Sequence, residues 1–169
     1  MSAAHDQHQQ LRDLLAQGRL DDAQFRWLEL SEQFANQPDF LLTLVKEFAD
    51  AGHPRTAAEL AALITPSLKA AGKLHEWLYA LKLRAAASPK EKTLRAELAE
   101  AYTAIYQTDP RFKAILAIAA LDNDAAPLPD TIAKIETLLA LAPGSYCQQK
   151  SWGFGHVKSF DATLGRLII

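Results

Sequence analysis

From about residue 11 to residue 142 apolar side chains recur three and four positions apart, the rhythm of helices that bury one face. "LRDLLAQGRLDDAQFRWLEL" (11–30) and "VKEFADAGHPRTAAELAALI" (45–64) each predict a helix, a stop at glycine and a second helix. Leu78, Leu81 and Ala85, then Leu94, Leu98 and Ala101, predict a third helix pair around the turn "ASPKEK". A further turn at "TDP" (108–110) precedes "RFKAILAIAAL", and Asp130 is the expected N-cap of "TIAKIETLLAL". The pattern predicts about eight helices in antiparallel pairs. "LAPGSY" (141–146) combines Pro with Gly and ends the helical part. Beyond it the period shortens to two: Trp152, Phe154, His156 and Lys158 fall on one side of a strand, Gly153, Gly155, Val157 and Ser159 on the other. "FDATLG" is then expected to turn the chain into a second strand, "RLII".

The first two helix pairs are copies of one unit at an offset of 34 residues. Leu11 aligns with Val45, Arg12 with Lys46, Leu14 with Phe48, Gly18 with Gly52, Ala23 with Ala57, Trp27 with Ala61 and Leu30 with Ile64. Glycine stops the first helix, and a small alanine five residues later lets the second lie close against it. This order at this period is similar to the tetratricopeptide repeat over roughly residues 5–70, although Pro38 and Pro66 stand off the register of its closing proline. The resemblance implies an all-α fold, a tetratricopeptide-like α-solenoid over residues 1–144 in which each pair mainly touches its neighbours. Residues 145–169 are the expected start of a small, incomplete β-barrel-like module, because two isolated strands are marginal in water. The chain is accordingly expected to be a piece of a longer protein.

Trp152-Gly153-x-Gly155-x-Val157, Phe160-Asp161 and Arg166-Leu167-Ile168-Ile169 carry a second resemblance. The segment looks like the start of a barrel module found in transcription factors, and it resembles an extended form of Gre-type elongation factors. In those, a helical repeat-like region and a small β module precede a coiled coil with an acidic, metal-binding tip. This sequence contains no such coiled coil. The resemblance therefore implies an accessory region that docks on RNA polymerase or nascent nucleic acid, with cleavage chemistry lying downstream.

Composition narrows the possibilities without choosing among them. With 49% hydrophobic and 22% charged residues the chain can bury a core. A formal charge of −2 argues against a grip on nucleic acid along its whole length. Residues 145–169 differ, holding three Lys or Arg against one Asp, a local +2 that leaves 15 basic and 19 acidic side chains, or −4, for the rest. The single Cys147 excludes a disulfide within this chain. "MSAAHDQHQQ" lacks the apolar core of a signal peptide, and no run approaches a membrane span, so a cytoplasmic location is expected.

Groups that would converge in an enzyme are missing from the pattern. His5 and His8 lie one turn apart with no third ligand near them in sequence. Asp21-Asp22, and Asp122 with Asp124, fall where helices begin or loops turn. No phosphate-binding or dinucleotide fingerprint occurs, and no metal or cofactor site is expected. Two binding sites are. Arg12 and Lys46 occupy one position of the two aligned copies and would line a groove that receives an acidic peptide or a chain-terminal carboxylate; the same charges also suit a helix face that only stays soluble. Lys150, Trp152, His156, Lys158 and Arg166 mix aromatic and basic character like a stacking surface for single strands, or a contact with the transcription machinery. Trp152 and Phe154 are more often core residues of a small barrel. The expected role is a non-enzymatic binding or scaffolding region. The alternative is a peptide-binding module unconnected with transcription.

Overall fold

The computed structural model describes residues 3–151, 153–161 and 166–169, without the side chains of residues 3–5, 149 and 167. Among them are eight helices and, at the C-terminal end, short antiparallel β-hairpins. The chain divides into two compact units, Met1–Ser88 and Pro89–Ile169. The change from helix to strand lies inside the second.

The first unit contains α1 (Ala3–Ala16), α2 (Leu20–Gln33), α3 (Pro38–Asp50), α4 (Pro54–Ala70) and α5 (Leu74–Ala87). Three of its turns are built alike. Gly18, Gly52 and Gly72 have φ of 72°, 87° and 66°, the left-handed region that glycine enters without a Cβ clash. At each, the next residue's N–H reaches back five residues: Arg19 to Leu14, His53 to Phe48 and Lys73 to Leu68, at 3.0, 2.8 and 3.0 Å. These bonds satisfy carbonyls that the helix end leaves open.

The aligned copies bury the same positions. Leu11 and Val45, Ala23 and Ala57, Trp27 and Ala61, and Leu30 and Ile64 are all core residues. Trp27 also donates its indole N–H to the Leu41 carbonyl at 3.3 Å, tying α2 to α3. Helix α1 touches α3, and α3 touches α5.

The second unit begins with α6 (Lys92–Tyr106), α7 (Phe112–Ala119) and α8 (Leu128–Ala140). Asp130 is not the N-cap of α8. Pro127 takes that place without a side-chain hydrogen bond, and Asp130 lies within the first turn. The helix starts earlier because Pro129, which has no N–H to leave unpaired, is well suited to a first turn. The C-cap of α7 is Ala120 at φ 54°, the conformation that glycine holds in the first unit's turns. Ala120→Gly is expected to raise unfolding free energy by about 0.5–1 kcal/mol, because a left-handed alanine is strained while glycine costs more entropy on folding. A urea midpoint that falls in this variant would contradict that reading.

The strands are β1 (Tyr146–Gln149), β2 (Gly153–His156), β3 (Ser159–Asp161) and β4 (Arg166–Ile168). Pairing corrects the expected single hairpin. β2 pairs with β1, a part of residues 145–169 for which no strand was expected, and β3 pairs with β4. The period-two segment is divided at Val157 and Lys158: Val157 exchanges backbone bonds with Gly144 and Ser145, at 2.8 and 2.9 Å, while Lys158 donates to Ile168 at 2.8 Å. Consecutive residues thus belong to different ladders.

Candidate functional site

Helices α3 and α5 wall a hollow of about 580 Å³ in the first unit. Phe40, Leu42, Thr43 and Lys46 come from α3, with Asp39 near its start. His75, Glu76 and Tyr79 come from the first turns of α5. The two helices are joined at one end by Lys73, whose ammonium lies 3.4 Å from the Asp39 carboxylate. Leu42 is buried and Phe40 and Tyr79 are half-buried, so the floor is apolar and the rim carries charge of both signs. Burial, with the Asp50 charge adding to it, pushes the Tyr79 phenol up. A volume of this size holds a few side chains of an extended segment.

Lys46 therefore stands, exposed, at the edge of a hollow. Arg12 borders a different one, with Leu15, Ala16, Glu47, Asp50 and Ala51. Its guanidinium grips Glu47 through two bonds, Nε to Oε2 at 2.7 Å and Nη2 to Oε1 at 2.8 Å. His8 Nε2 lies 2.8 Å from the same Oε1. The Arg12 hydrogen bond is the main reason the Glu47 carboxyl sits below the usual carboxylate range; His8 adds to it and partial burial opposes it. A ligand carboxylate at Arg12 would have to compete with Glu47. The aligned charges thus have different surroundings. His75 is the helix-terminal, exposed histidine that its place at the start of α5 suggests, and it lines the hollow with Lys46 because α5 packs against α3.

The second cluster is spread over the two β-hairpins. Lys150 is exposed in the turn between β1 and β2, Lys158 is exposed after β2, and Arg166 is exposed on β4 opposite Asp161. Trp152 lies outside the described residues. The predicted alternation holds over the rest of the strand: Phe154, His156 and Lys158 are exposed, whereas Gly153 and Gly155 are half-buried and Val157 is fully buried. Phe154, at 80% exposure, is not a core residue. Tyr146, 81% exposed on β1, stands opposite His156 with ring centroids 5.1 Å apart. The pattern offered no signal for Tyr146, because its strand is recognisable only by its partner.

Other acidic groups have structural partners. Asp124 receives Lys92 at 2.7 Å, and Asp109 receives Arg111 at 2.7 Å. Among the described residues no group of three His, Cys, Asp or Glu is placed to share a metal ion, and no helix is long and apolar enough to cross a membrane.

No protein-family model, curated protein or solved structure matches the chain.

Proposed function

We propose that this chain is a non-enzymatic docking region whose first unit is a tetratricopeptide-like stack of helix pairs holding a peptide segment between α3 and α5. The hollow between those helices carries the proposal. In such a stack the first helices of successive pairs line one groove, and the contacts of α1 with α3 and of α3 with α5 agree with that order. Phe40, Leu42 and Tyr79 offer apolar surface to a side chain of the segment, and Lys46 meets an acidic group beside it. Asp39 does not cancel Lys46 outright, because Lys73 already draws on its charge.

The partner we propose is RNA polymerase, reached by an accessory region of a Gre-like factor in the cytoplasm. This rests on the resemblance at residues 152–169 and not on the hollow. The test uses the whole chain, immobilised, against purified RNA polymerase. Lys46→Glu combined with Tyr79→Ala is expected to weaken capture about ten-fold or more, since half-buried anchors dominate such contacts. The melting temperature should change little, because neither side chain is fully buried. Undiminished capture would show that the hollow is not the docking site. If polymerase is not captured at all, the peptide-binding reading unconnected with transcription replaces this one.

A further inference from the structure

We infer that the exposed face of the β1–β2 hairpin is a stacking platform for single-stranded nucleic acid. The antiparallel register sets Tyr146 opposite His156 and Gln148 opposite Phe154, so the four side chains share one face, and all four are exposed. The other face is made of small or inward residues: Cys147 opposite Gly155, both half-buried, with Val157 fully buried just beyond. A hairpin serving mainly as core would turn its aromatics inward. This one turns its small residues inward and leaves two large rings about four-fifths exposed.

That exposure helps to choose the occupant. Protein anchors are favoured where a ring or its partner enters a walled, desolvated pocket. A ring exposed to this degree has no such walls, but stacking on a base needs only an open π-face. Tyr146 and Phe154 are diagonal neighbours, about 7 Å apart in an antiparallel ladder, so adjacent bases of an extended strand can each meet a ring. Gln148 offers an amide between them for base edges. Charge complements this arrangement. Lys158 continues the exposed alternation, Lys150 and Arg166 are exposed nearby in sequence, and residues 145–169 are net positive while the rest of the chain is net negative. Phosphates would be drawn to this end of the chain. The inference rests on the second unit and is independent of the hollow between α3 and α5.

The test is fluorescence anisotropy of a labelled single-stranded RNA of about 12 nucleotides, a length typical of small single-strand sites, against the full chain over a salt series. Tyr146→Ala and Phe154→Ala are each expected to weaken binding about ten-fold. Lys158→Ala should make the slope of log affinity against log salt shallower by about 0.7. Phe154→Leu keeps apolar bulk without the ring and should lose nearly as much as Phe154→Ala. Retained affinity in Phe154→Leu would overturn stacking in favour of apolar docking. Equal affinity for a duplex of the same sequence would overturn single-strand selectivity. No binding at low salt would overturn the inference entirely.

Discussion

Trp27→Ala is expected to destabilise the first unit by about 3–5 kcal/mol, the range for emptying a fully buried tryptophan site. Trp27 is completely inaccessible, and its indole N–H is donated to the Leu41 carbonyl. Truncation would leave a cavity between α2 and α3 and remove that bond. A unit of this length is stabilised by roughly 4–13 kcal/mol in total, so the variant would lose a large share of it. Phe25→Ala on the same helix is the comparison, because Phe25 is 66% exposed and its loss should cost under about 0.5 kcal/mol. Urea unfolding of both variants measures the difference. Similar midpoints for the two would mean that the α2–α3 contact does not support the unit.

The second large effect is expected at Arg95. This guanidinium, 6% exposed, donates to the carbonyls of Leu121 at 2.9 Å and Ala126 at 2.6 Å. Asp124 lies 3.8 Å away and completes its charge balance. Arg95 thus holds the loop between α7 and α8 against α6. Arg95→Leu would strand two carbonyls and cost about 3 kcal/mol. Arg95→Lys should recover little of this, because an ammonium lacks the planar fork that spans two acceptors. The loop supplies a second readout: amide exchange across residues 121–126 should quicken in both variants while α5 is unaffected. A loss under about 1 kcal/mol in Arg95→Leu, with unchanged exchange, would show that the loop holds its own shape.

Much of the helical part was legible because each helix carries its own burial pattern. Leu11, Ala23 and Leu30 recur as Val45, Ala57 and Ile64, and all are in the core. Gly18 and Gly52 were readable as stops, since glycine is the residue that accepts the left-handed backbone found there. The placement of Phe154, His156 and Lys158 on one face also followed from period alone, but not that this face is the outward one. Strand pairing did not. "YCQQ" shows no alternation of its own and becomes a strand only against Gly153–His156, and the break at Val157 follows from which backbone bonds each neighbour makes. Asp130 had the composition of a cap and lost the position to a helix that begins at Leu128.

Charged groups mark the same boundary. Arg12 and Lys46 look equivalent along the chain, yet Glu47, 35 residues from Arg12, engages one and leaves the other beside a hollow. Arg95 looks like any solvent-facing arginine of an amphipathic helix until its acceptors, 26 and 31 residues away, fold over it. The sequence by itself determined the helices, their repeat and the two faces of the hairpin, because these depend on the spacing of neighbours along one element. Tertiary structure alone decided which charges are neutralised, which aromatics stay exposed and where a hollow opens, because those depend on side chains that meet only after the elements pack.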